Sequence, residues 1–185
     1  MTAKRFFFVL LAAGALVIPA GLLSGAGDPL VKKALLWHGR MLTVDTHCDT
    51  PFMLLEEGWD IGKYHVPGQK GSGCQDLPRM KAAGLDASFF AVFVSQGGRT
   101  DEGHARAKAK AITILDAMDA MFARYPNLCG LALTPADARR LEKQGKRAIF
   151  IGMENGYPLG HDPALIDYFY GRGVRYVTLA HTSDN

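Results

Sequence analysis

The chain has 185 residues, 48% hydrophobic and 21% charged, with a formal charge of +3. That balance is globular rather than disordered, and the length suits one domain. The short basic run Arg106, Lys108 and Lys110 sits among alanines in a helical stretch and reads as a solvated face, so a nucleic-acid-binding surface is excluded.

In chain order, Lys4 and Arg5 precede a charge-free stretch over residues 6–27. This predicts a secretory signal or membrane anchor over residues 1–26, with residues 27–185 as the body. Gly14, Pro19 and Gly21 interrupt the apolar stretch and Ser24-Gly25-Ala26 offers a cleavage site, so a cleaved signal is favoured over an anchor. Basic residues ahead of the apolar stretch keep that end cytoplasmic, so the body is expected to be exported, to the periplasm or another extracytoplasmic face.

The first strand is expected over residues 41–46, followed by a glycine-rich loop over 58–73. A short helix over 76–83 has Asp76 as its cap and Gly84 as its stop. Residues 86–95 are nearly all apolar, as in a strand buried on both faces. Residues 101–124 read as a long helix, because Ile112, Leu115, Met118 and Phe122 recur at helical spacing. A short strand is expected over 131–133, then a helix opened by Thr134-Pro135-Ala136-Asp137 and closed by Gly145. The apolar run ending at Glu154 and the run 174–180 flank a last helix that Asp162-Pro163 opens. Alternation of strand and helix argues for a parallel sheet.

Chemistry-bearing residues recur where these strands end. His47 and Asp49, two apart, fall on one face of a strand and offer a neutral nitrogen beside an anionic oxygen, a pairing that suits zinc. Alone, the spacing fits an ordinary surface turn as well. Glu154 ends the second run and His181 the third. The βαβ connection between them places both on the same rim. A buried carboxylate without a partner is costly, and a metal ion at Glu154 removes that cost. Asn155, Asp184 and Asn185 follow on the same rim, while His65, His104 and His161 read as surface residues, His65 within a loop able to overhang the site. Strand alternation points Cys48 away from the metal face. A Cys74–Cys129 disulfide is one option among three cysteines.

Four segments carry a resemblance: Val44-Asp45-Thr46-His47-Cys48-Asp49-Thr50-Pro51, Gln75-Asp76-Leu77-Pro78-Arg79-Met80-Lys81-Ala82-Ala83-Gly84, Gly152-Met153-Glu154-Asn155-Gly156 and Gly173-Val174-Arg175-Tyr176-Val177-Thr178-Leu179-Ala180-His181-Thr182. In order and spacing they resemble the membrane (renal) dipeptidase family. The resemblance implies a (β/α)8 TIM-type barrel and zinc-dependent hydrolysis of dipeptides or other small amides by metal-activated water. It implies that His47 and Asp49 hold one zinc, that Glu154 bridges two, and that His181 faces the substrate and steadies the tetrahedral oxyanion. Two later histidines for the second ion, and a late carboxylate thought to shuttle protons, have no match within the sequence. The expectation is therefore the front part of a barrel, truncated after about five strands, with the ligands of one zinc and little turnover. A non-catalytic exported fragment and another amidohydrolase-type enzyme are the alternatives; the latter more often begin with His-x-His. Expected partners are the dipeptide substrate, a membrane tether if the leader is retained, and a second copy in a homo-oligomer.

Overall fold

The computed structural model describes residues 27–184. The predicted leader lies outside them. Among the described residues no helix is long and apolar enough to cross a membrane. Two units separate, one reaching Trp37 and the other running from His38 onward. Helix α1 (Pro29–His38) bears Leu30, Leu35, Leu36 and Trp37 exposed.

The second unit is built on a five-stranded parallel sheet of β1 (Val44–Cys48), β2 (Ala87–Phe93), β3 (Cys129–Leu131), β4 (Arg147–Glu154) and β5 (Val174–Val177). Helices α2 (Leu77–Ala83), α3 (Asp101–Arg124), α4 (Pro135–Lys143) and α5 (Ala164–Gly171) lie between the strands in sequence. The order runs β1-β2-β4, and β4 shares its other edge between two strands. Strand β3 pairs with Arg147, Ala148 and Ile149 at the start of β4, while β5 pairs with Ile151, Gly152 and Met153 further along. Strand β2 therefore meets β4 directly, and β3 flanks the pair.

The period-two alternation of β4 sorts its side chains. Ile149, Ile151 and Met153 join Phe90, Val92 and the helix stripe Ala107, Ala111, Ile114, Leu115 and Met118 in the main core. That stripe recurs every three or four residues, so one face of α3 covers the sheet. The opposite face forms a smaller cluster from Ala87, Ala148 and Phe150, with Leu42 and Phe89 packed against it. In register, Phe89 pairs with Phe150 and Phe93 with Glu154, so this second face leads from aromatic packing up to a carboxylate.

The helix boundaries follow their capping residues. Asp76 caps α2 by accepting from Arg79 N, and Gly84 closes it in the left-handed region at φ 67°. Thr134 and Asp137 form a reciprocal capping box on α4.

Strand β2, expected over 86–95, spans Ala87–Phe93, and three further strands differ from expectation by a few residues. Strand β1 begins at Val44, because Thr43 is held by Asp86 and Gly84 through its side chain and ladder pairing starts with Val44 opposite Ala87. Strand β3 ends early, because Asp137 Oδ2 takes the N–H groups of Leu133 and Thr134 at 3.2 and 3.0 Å. Strand β5 stops at Val177, because β4 turns at Asn155, φ 78°, whose N–H goes to the Thr178 side chain instead of continuing the ladder. The disulfide option is overturned: Cys48, Cys74 and Cys129 are all free thiols, with Cys129 buried and Cys74 exposed.

Candidate metal centre

The site lies where β1 and β4 end. The β1–β2 register advances three residues on β1, from Asp45 to Cys48, for two on β2, from Ser88 to Phe90. Such a bulge re-aims side chains. Cys48 turns into the core, where its Sγ lies 3.1 Å from Thr50 Oγ1, and His47 turns to the opposite face. Asp49 has left the strand and precedes the 3₁₀ turn Thr50–Leu55, yet its Oδ1 lies 3.3 Å from His47 Nε2.

The same His47 Nε2 lies 3.3 Å from Glu154 Oε2, and the other oxygen of Glu154 lies 3.3 Å from His181 Nε2. Glu154 is thus flanked by an imidazole on each side, with 16% of its side chain exposed. The four residues named from the sequence come together: His47, Asp49 and Glu154 as a close trio, with His181 beside Glu154. One donor atom from each of the trio lies within 4.8 Å of the others. Two metal–ligand bonds of about 2 Å span roughly 4 Å, so small side-chain adjustments suffice for one ion to reach all three. The nitrogen-and-carboxylate donor set suits a borderline divalent cation, and two carboxylates facing imidazoles have charge to be balanced. The residues present fit the group.

Backbone anchors hold this rim. Asn155 is fully buried and tolerates its left-handed backbone as few residues other than glycine do. Its Nδ2 donates to Val94 O at 3.0 Å and its Oδ1 accepts from Tyr157 N, tying β4 to the end of β2. Asn155 N donates to Thr178 Oγ1 at 2.8 Å, and Thr178 N donates to Met153 O at 3.0 Å, which fixes the segment leading to His181. His181 packs against Phe93, ring centroids 4.9 Å apart, in a cleft also lined by Asp49, Phe52 and Glu154. His65 is held instead by Asp76 and stacked on Trp59, 4.7 Å between centroids.

Several contributors were not singled out from the sequence. Gln75 Nε2 donates to Asp45 Oδ2 at 2.6 Å, and Asp45 Oδ1 accepts from His47 N at 3.1 Å, bracing the bulge. Tyr176 places its hydroxyl 3.4 Å from His47 Nδ1. Burial first, then the charges of Glu154 and Asp49, push its phenol above the ordinary range, so it stays a neutral hydroxyl. The available sequence signal for Tyr176 was Gly152, a glycine inside an apolar strand, which marks a close approach by another group.

The parallel α/β sheet thus gathers two carboxylates and an imidazole at the C-terminal rim of its strands, a donor set that could hold a divalent cation. Residues 32–185 match the family model for membrane dipeptidase (peptidase family M19), and the chain belongs to that family. It is similar to dipeptidase ataJ of Aspergillus terreus, 26% identical over 168 residues that cover 85% of this chain and 40% of that protein. Among solved structures it is similar to the probable dipeptidase PvdM from Pseudomonas aeruginosa, with a TM-score of 0.72 and 27% identity over 84% of this chain and 38% of that one. A metallo peptidase from Rhodobacter sphaeroides, solved with a phosphinate mimic of the dipeptide L-Ala-D-Ala, shares the fold at a TM-score of 0.61, with 20% identity over 74% of this chain and 44% of that one. The chain spans about 40% of the length of these relatives.

Proposed function

We propose that this chain supplies metal-binding and oxyanion-stabilising residues of a zinc-dependent dipeptidase. The observation that carries the reading is the convergence of His47, Asp49 and Glu154, from two separate strand ends, to within 4.8 Å. His47 would contribute Nε2, and Asp49 and Glu154 one oxygen each. A divalent ion held there supplies positive charge that acidifies water and polarises a carbonyl.

The remaining roles belong to the protein's own groups. Glu154 directs Oε2 to His47 and Oε1 to His181, so one carboxylate links the imidazole that would hold the ion to the imidazole that would face the substrate. His181, packed against Phe93, can donate an N–H to an oxygen that gains negative charge in the transition state, where such a bond is worth most. Family membership and the dipeptide mimic bound by the Rhodobacter relative support small peptides as the substrate class.

Metal analysis after dialysis, paired with a dipeptide hydrolysis panel, tests the reading. The expected result is about one zinc per chain, lost in His47→Ala and Glu154→Gln and kept in His181→Ala. Equal zinc retention by all variants would sink the assignment.

A further inference from the structure

The two nitrogens of His47 face different surroundings. Nε2 points at Asp49 Oδ1 and Glu154 Oε2, both 3.3 Å away, whereas Nδ1 points at the Tyr176 hydroxyl, 3.4 Å away. An imidazole that gives Nε2 to a cation must carry its proton on Nδ1, and that proton needs an acceptor. Resting on the metal reading above, we propose that Tyr176 is a positioning residue whose hydroxyl oxygen accepts the Nδ1–H of His47 and so presents the Nε2 lone pair to the ion.

Three features of the fold aim the tyrosine. The β4–β5 register advances two residues on β5, from Val174 to Tyr176, for one on β4, from Ile151 to Gly152, and this bulge sets Tyr176 opposite Gly152. Gly152 leaves room for the ring, since a Cβ there would lie 2.0 Å from Tyr176 Cζ. The Phe89 ring, 5.5 Å away between centroids and itself stacked on Phe150, supports the tyrosine from below. The phenol therefore crosses from β5 to a histidine on β1, a strand it does not pair with. A hydroxyl both donates and accepts, so it remains a partner for Nδ1 in the metal-free chain as well, where Nε2 can carry the proton toward the carboxylates.

The test uses the full chain, with Zn²⁺ titrated against a chromophoric chelator, comparing the unmodified chain, Tyr176→Phe and Glu154→Gln. Phenylalanine keeps the ring and its packing and removes only the hydroxyl. Zinc binding by Tyr176→Phe is expected to weaken about tenfold or more, the usual consequence of losing a partner behind a ligating histidine. In the zinc-loaded, ¹⁵N-histidine-labelled chain, the His47 Nδ1–H should be protected from exchange with water, and Tyr176→Phe should lose that protection. If Tyr176→Phe keeps unmodified affinity or a protected Nδ1–H while Glu154→Gln loses zinc, the role of Tyr176 is overturned and the metal reading stands. If Glu154→Gln binds zinc as tightly as the unmodified chain, both fall.

Discussion

The three thiols show how strongly position alone governs residue chemistry here. Cys48 lies between two proposed ligands in sequence, yet burial pushes its thiol up to about 11, and burial pushes Cys129 to about 12. Cys74 is exposed in the glycine-rich loop. A thiolate is the reactive form, so Cys48 and Cys129 should resist thiol reagents near pH 8 while Cys74 reacts. Thiol counting with a chromogenic disulfide should give one fast group in the native chain and three after denaturation. A rapid second thiol in the native chain would show that the bulge at β1 does not keep Cys48 inside. By the same logic Cys48 makes no competing metal ligand, which leaves the imidazole and carboxylates to define the site.

Individual elements depend on caps that can be titrated. In α4, Asp137 accepts from the Arg140 side chain, the Thr134 hydroxyl and the Leu133 N–H, and these bonds hold its carboxyl at about 2. Its folded value lies below the ordinary carboxylate value near 4, so its contribution is fully present above about pH 4 and lost as pH falls through about 2. Asp137→Asn should therefore be less stable than the unmodified chain at pH 6, with the gap closing between about pH 4 and 2 in denaturant melts. A pH-independent gap would mean that the carboxylate's charge is irrelevant to the cap. Thr134→Ala should cost about 1 kcal/mol at neutral pH, as capping losses do. The same box draws Leu133 and Thr134 out of β3 and so decides where that strand ends.

Across the whole molecule, the candidate metal trio links segments more than a hundred residues apart in sequence, His47 and Asp49 on one side and Glu154 on the other. An ion bound only by the folded chain stabilises it by mass action, about 2.7 kcal/mol at a hundredfold excess over its Kd. Zinc should raise the thermal midpoint of the unmodified chain and leave that of Glu154→Gln unchanged; an equal rise in both would place the bound zinc elsewhere. We also propose export, supported by Lys4, Arg5 and the charge-free residues 6–27. N-terminal sequencing of the mature protein should find a start near residue 27. An intact chain recovered from the cytosol would defeat this.

Much of the architecture was legible in the chain itself, because capping residues and apolar periodicity act locally. Asp76 with Gly84, and Thr134 with Asp137, delimit helices through bonds made within a few residues. The stripe on α3 is equally local, and its range over Asp101–Arg124 is the one read from spacing. His47, Asp49, Glu154 and His181 could be picked out as candidates too, because each stands at or just beyond the end of an apolar run. What the sequence could not decide was which strands are neighbours, since pairing joins residues far apart along the chain. Only the tertiary structure set β2 beside β4 with β3 and β5 sharing the far edge. Only it placed the two bulges that turn His47 and Tyr176 to one face, because a one-residue shift in register reverses a side chain's direction without leaving a mark in composition.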